Sequence, residues 1–348
     1  MDRIAYLIRR TLLVIPTFIG ITIVCFSLTR FLPGGPVEMR LMRMKGMDGG
    51  AVAQRQTGGA QQVSEEYRRQ LEAQFGFDKP VYEQYYDWLV VNRMGLKLPS
   101  YDYPNKTAGA LIKERIPVSI WFGAASFLLT YLICIPLGIA KAVKHRKTFD
   151  MVSSLVIFTS YAIPSFALAM MLKTLFCGTV EGLFDVFPLG GIESEFDIEP
   201  GFWTRLADRA WHMVLPVACY VAGSFAMLTL MMKNSLLDQI SADYVRTVIA
   251  KGASRRRAIW CHAFRNALIP VATGFGSIIS FLFAGSIVIE TIFEIPGMGR
   301  LSWDALIGRD YAVFLALLAL TASFQLIGNL ISDVLYMLID PRIDFSKK

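Results

Sequence analysis

Residues 118–140 read VSIWFGAASFLLTYLICIPLGIA, 23 positions without one charged side chain. Wound as an α-helix at about 1.5 Å per residue, a run of this length crosses a hydrocarbon layer of about 30 Å. Five more runs of the same character can be read: Thr11–Phe31, Met151–Phe176, Met213–Met232, Ala267–Ile289 and Ala312–Tyr336. The 348 residues are 54% hydrophobic and 18% charged. Soluble chains are about 45–50% apolar and about 25% charged. The fold class expected is therefore all-α: a polytopic membrane protein with six transmembrane helices.

Arg9 and Arg10 precede the first run, as in a signal peptide, but no small-x-small cleavage site follows it. The run ends in the breaker cluster Pro33-Gly34-Gly35-Pro36, so an uncleaved anchor is expected over residues 1–32. The net charge of +7 does not point to nucleic acid, because the basic residues sit in short connections beside apolar spans. Segments 1–10, 141–150, 233–266 and 336–348 hold 17 Lys and Arg in 67 residues; segments 33–115, 179–212 and 290–311 hold 16 in 139. The denser set is expected in the cytoplasm, with both termini inside.

Segment 33–115 is too long for a simple connection. Residues 45–62 are rich in Gly and Gln and are expected to be flexible. A helix is expected to start at Ser64-Glu65-Glu66 and end at Gly76. A second follows Pro80, with Val81, Tyr85, Trp88 and Leu89 on one face. This makes a helical extracytoplasmic insertion ahead of a core over 116–348. Inside the spans, Lys173 and Asp333 are the charged candidates for a transport role, with Arg30 at an edge, but each lies close enough to a span end to snorkel. Pro136 and Pro164 are expected to kink their spans. Cys25, Cys134, Cys177, Cys219 and Cys261 form no CxxC, and His145, His212 and His262 are scattered, so no metal site is expected.

Segment 233–266 reads KNSLLDQISADYVRTVIAKGASRRRAIWCHAFRN. Two short helices are expected in it. The first runs over Ser241–Lys251 with Ser241 as cap and an apolar face of Val245, Val248 and Ile249. The second starts at Ser254 and carries Ala258, Ile259 and Trp260 beside Arg255, Arg256 and Arg257. Gly252 supplies the positive backbone angle of the bend between them. A basic loop that merely fixes topology would read similarly, but 34 patterned residues are more than that task needs, which favours docking to a partner protein.

This stretch resembles the cytoplasmic coupling motif of binding-protein-dependent ABC permeases, in the form used by dipeptide and oligopeptide importers. The match is carried by Asp243-Tyr244-Val245-Arg246-Thr247, Ala250-Lys251-Gly252 and His262-Ala263-Phe264-Arg265-Asn266-Ala267-Leu268-Ile269-Pro270. Aligned on Gly252, Arg246-Thr247-Val248 stands where the general motif has Glu-Ala-Ala, and 262–265 departs from its Ile-x-Leu-Pro. Further resemblance lies in Tyr6–Arg10, in Ile289–Arg300 and in Arg309-Asp310-Tyr311. Pro33–Val37, Gly76–Pro80 and Asp340–Phe345 are similar to the Yej-type branch, which imports microcin C and related peptides; only residues 40–62 are unmatched.

The resemblance implies a type I ABC importer permease fold in a bacterial inner membrane. It implies that the ATPase-coupling residues are Asp243, Tyr244, Arg246, Thr247, Ala250, Lys251, Gly252, Ser254, Arg255, Arg256, Ile259, His262 and Asn266. The partners it implies are a second permease chain forming a heterodimer, an ABC ATPase that binds ATP and Mg, an extracytoplasmic solute-binding protein, a peptide substrate and membrane lipid. No GxxxxGK[ST] loop and no catalytic set occurs in the sequence, so the chain is expected to be no enzyme and to hold no cofactor. An ion-coupled transporter would place ionisable groups at mid-span within inverted repeats, and a receptor would carry a signalling domain; neither is visible.

Overall fold

The computed structural model describes residues 3–31, 66, 68–70, 72–73, 77–103, 105–180, 183–196, 199–274 and 278–339. Ser64, Glu65, Gly76, segment 45–62 and the ending Asp340–Phe345 lie outside the described residues. The helices are α1 Arg3–Phe31, α2 Val81–Tyr86 with a π-helical turn Asp87–Val91, α3 Ala108–Val143, α4 Thr148–Ala162, α5 Ser165–Phe176, α6 Phe202–Ser241 and α7 Asp243–Ala250. Then come α8 Arg255–Ala258, which continues through a π-helical turn Ile259–Ala263 into α9 Phe264–Thr273, and α10 Ile278–Ala284, α11 Ile287–Ile292, α12 Met298–Ile307 and α13 Tyr311–Ile339. The chain is an all-α polytopic membrane protein.

Among the described residues four helices are long and apolar enough to cross a membrane: α1, α3, α6 and α13. The expected third span is the pair α4 and α5, bent by 95°. Pro164 causes the break. It forces Ile163 into an extended conformation (φ −83°, ψ 120°) and cannot donate to the helical ladder. Pro136, by contrast, sits within continuous α3. The expected fifth span, Ala267–Ile289, is not one helix among the described residues. The interruption lies at Gly285, at φ +63°, where α10 ends and α11 begins. Glycine costs about 1 kcal/mol in a helix interior, which hydropathy does not register.

The chain divides into two compact units, one of Met1–Leu13, Ile116–Arg300 and Phe324–Lys348, the other of Val14–Arg115 and Leu301–Ser323. In the first, α3 and α6 are in close contact. A Cβ on Gly138 would stand 2.7 Å from Met232 Cβ and 2.8 Å from the Thr229 carbonyl. Their shared core includes Cys134, Ile139, Leu228, Met232 and Leu236. Beside it lies a charged hub. Lys141, fully buried, donates to the Asp150 carbonyl (2.9 Å) and to Ser153 and Ser154 (2.8 Å each), and its ammonium is 3.0 Å from the Asp150 carboxylate. Lys233 on α6 donates to both Asp150 oxygens at 2.7 and 2.9 Å. One carboxylate thereby joins α3, α4 and α6.

Two sequence motifs act as architecture. Glu290 is fully buried and accepts from the backbone N–H of Ser286 (3.1 Å) and Arg300 (2.8 Å), which ties α11 to the first turn of α12. Ser119 on α3 accepts from Met298 N at 2.8 Å at the same helix start. The intraspan charges are also tied locally. Lys173 donates to the Ile292 carbonyl at 2.7 Å, and Asp333 takes the Arg10 guanidinium.

In the second unit Phe26, Trp88, Leu315 and Ala319 are buried together, with Tyr85 and Leu89 packed against them. Thr22 and Tyr85 share a hydrogen bond of 2.8 Å. Val81 does not join its expected face; it is 56% exposed, at the start of α2. Asp310 caps α13 by accepting from Val313 N (3.2 Å) and holds the preceding loop through Ser100 Oγ and Tyr101 N (2.9 Å).

Replacing Asp150 by Ala leaves two buried ammonium groups without their carboxylate, a loss of about 3–5 kcal/mol. Thermal unfolding of the purified chain in detergent should show a clear drop in midpoint. An unchanged midpoint would mean that the hub is solvated.

Candidate functional site

The segment singled out in the sequence is shorter as an independent element than expected. Residues 233–241 continue α6, and the connection proper begins at Ala242. Ser241 is not a cap: its hydroxyl donates to the Asp238 carbonyl within α6, and α7 starts at Asp243 from an extended Ala242. Thr247 donates to the Asp243 carbonyl, and Arg246 stands 3.7 Å from the Asp243 carboxylate on the exposed side.

The end of α7 follows from its glycine. Gly252 has φ +93°, its N–H donates to the Ile249 carbonyl (2.9 Å), and Ala253 N–H donates to the Val248 carbonyl (3.3 Å). This pair of bonds around a left-handed glycine is a Schellman motif, which satisfies carbonyls at the helix end. Ser254 then caps the next helix by accepting from Arg257 N at 3.3 Å. Three residues after Gly252 the chain is helical again, so the bend is tight and its angle fixed.

The pair is fastened to α6 from below. Val245, Ala258, Ile259, Ala263 and Ala267 are buried in the same core as Met232 and Leu236. A polar clamp adds to this. Tyr244 donates to Gln239 on α6 (2.7 Å) and accepts from Asn266 on α9 (3.1 Å). Tyr244 and Asn266 therefore hold the geometry from both sides of the bend.

The remaining surface is presented outward. Asp243, Arg246, Thr247, Ala250, Lys251, Gly252, Ser254, Arg255, Arg256, His262 and Asn266 are exposed, whereas Ile259 is core and cannot meet a partner directly. Sequence reading placed Ile249 on the inner face, but it is 42% exposed, and Trp260, read as part of an apolar patch with Ala258 and Ile259, is 48% exposed. Both have a physical cause. Val245 and Val248 already point inward, and Ile249 is one helical step, about 100°, further round. The π-helical turn 259–263 shifts the register of the face just where Trp260 stands. The result is an exposed basic ridge with two apolar side chains, a chemistry suited to a protein interface.

The family described as "Binding-protein-dependent transport system inner membrane component" matches residues 134–345. The chain belongs to this family. Among the relatives of this permease, "Inner membrane ABC transporter permease protein YejB" of Escherichia coli O157:H7 is 39% identical over 98% of the chain and 99% of the relative. "Peptidoglycan transport system permease protein YejB" of Agrobacterium fabrum is 37% identical over 99% of both. "Dipeptide transport system permease protein DppB" of Escherichia coli K12 is 34% identical over 98% and 99%. The permease is thus an ABC transporter component of an inner membrane, and the family's name couples it to a binding protein.

A Cβ at Gly252 would meet nothing within 4 Å, so a substitution there acts on the backbone alone. Gly252→Val should destabilise the bend by roughly 1–2 kcal/mol and lower peptide-stimulated ATP hydrolysis of the assembled transporter without reducing insertion. Gly252→Asn, which accepts left-handed angles more readily, should retain more coupling. Equal loss in both variants would show that the angle is not what matters.

Proposed function

We propose that the chain forms half of the translocation pathway of an ATP-driven importer of short peptides, pairing with a second permease chain to make a heterodimer. A solute-binding protein delivers the peptide on the extracytoplasmic side. An ABC ATPase, which binds ATP and Mg, docks on the ridge 243–262 in the cytoplasm, where both termini also lie. The observation that carries this reading is the ridge itself: an exposed helix pair with a fixed bend, fastened to the 40-residue helix α6. Motion of the ATPase applied to such a pair is handed to α6 instead of being absorbed by the connection. The Lys and Arg density of the same segment supports its cytoplasmic placement. Peptide as the substrate class is supported by the names of the relatives, and microcin C-like peptides by the Yej-type features of the sequence.

The test is peptide-stimulated ATP hydrolysis in reconstituted complexes. Trp260→Ala should weaken ATPase docking by about 2 kcal/mol, as removal of a central aromatic anchor does. Arg255→Glu with Arg256→Glu should do less, because solvated rim charges contribute little. If charge reversal abolished assembly while Trp260→Ala left it intact, the ridge would be an electrostatic latch and not a lever. For the substrate class, deletion of the gene should confer resistance to a microcin C-type antibiotic; unchanged sensitivity in a strain without a redundant importer would contradict it.

A further inference from the structure

Arg30 stands in the second unit at the end of α1, on the wall of a cavity of about 250 Å³. Its guanidinium lies over two aromatic rings, 4.6 Å from the Phe26 centroid and 4.4 Å from that of Phe77. Those contacts place the cation over two ring faces, which offer no carboxylate or carbonyl oxygen to its N–H groups. Among the described residues, its Nε and Nη1 are buried without a hydrogen-bond partner. The carboxylate of the cavity wall, Asp87, is already engaged by Lys79. Among the described residues the wall therefore carries one positive charge, that of Arg30, without a carboxylate partner. Buried charges are ordinarily paired, because desolvation of a lone ion is costly. Beside it, Gln84 spends its amide nitrogen on the Lys79 carbonyl at 2.6 Å, while its buried Oε1, an acceptor, has no partner.

We propose that this cavity binds a carboxylate on Arg30, the free end of a short peptide or an acylated amino acid. A carboxylate matches the planar fork of a guanidinium, and the charge on the wall calls for a single negative charge. The amide N–H that precedes a peptide's terminal carboxylate supplies the donor that Gln84 lacks. The volume is below the roughly 300–1,000 Å³ of sites for drug-sized ligands, so it takes one or two residues and not a long chain. A phospholipid headgroup of single negative charge offers a similar anion, which the test separates. This site is independent of the ridge 243–262, and neither reading requires the other.

The experiment uses the full chain purified in detergent, titrated with Ala-Ala, with Ala-Ala amide and with glycerophosphoglycerol, a headgroup without acyl chains. Binding is followed by saturation-transfer NMR of the probe and by tryptophan emission, since Trp88 lines the cavity. Ala-Ala should bind at least about tenfold more tightly than its amide, the value of a charge-assisted pair. Arg30→Gln should remove that preference while far-UV circular dichroism stays unchanged. If Arg30→Gln does not fold, the acid-against-amide comparison on the unaltered chain decides alone. Equal binding of acid and amide, binding of none of the three probes, or binding of glycerophosphoglycerol without Ala-Ala would each overturn the assignment.

Discussion

Helices in a hydrocarbon layer gain no hydrophobic free energy by meeting, so their association rests on how closely their surfaces fit. In this permease the fit is made by residues with little or no side chain. Gly138 brings α3 against Met232 and Thr229 of α6, and Ala258, Ala263 and Ala267 are buried in the same core. A Cβ at Gly138 would meet Met232 Cβ and the Thr229 carbonyl closer than a carbon's van der Waals contact allows. Lys233, one residue beyond Met232, reaches Asp150 across this tight crossing. Leu236, one turn further, belongs to the core on which Val245 and Ile259 rest. The ridge is consequently an extension of the packed helices, not a loop attached to them.

Much of the family resemblance rests on residues that shape the chain and not on residues that face a partner. Glu290 closes α11 onto the first turn of α12, and Asp310 caps α13 while holding the loop at Ser100 and Tyr101. Both carboxylates satisfy backbone donors at helix starts, where unpaired N–H groups and the helix dipole favour negative charge. Tyr244 and Asn266 work differently, through side-chain bonds that link α7 and α9 to Gln239 on α6. Gly252 is needed for its backbone angle alone.

Hydropathy made α1, α3, α6 and α13 legible, because a long uncharged run in a membrane protein has few other readings. It underestimated α6, read as Met213–Met232 but running over Phe202–Ser241, since a helix that leaves the apolar layer continues through polar residues without a hydropathy signal. It read through the break at Gly285 between α10 and α11, because glycine interrupts a helix without lowering hydropathy. In the ridge, Gly252 and Ser254 were legible from local backbone chemistry, which needs no tertiary information. Ile249, Trp260 and Ile259 were not, because which side of a short helix is buried depends on the phase set by α6 and by the π-helical turn. The setting of Arg30 was hidden for a further reason: its neighbours Phe77 and Asp87 lie some 50 residues along the chain and meet it only in the fold.

The central claim is that the helix pair moves as one rigid body. Arg246 and Cys261, on either side of the bend and both exposed, can carry spin labels without entering the core or replacing Trp260. The direct measurement is the distance between labels at these two sites in the assembled transporter, by double electron–electron resonance, with and without ATP. The account predicts one narrow distribution that does not shift between the two states. A distribution that broadens or moves on ATP binding would mean that the bend yields under load, and would contradict it.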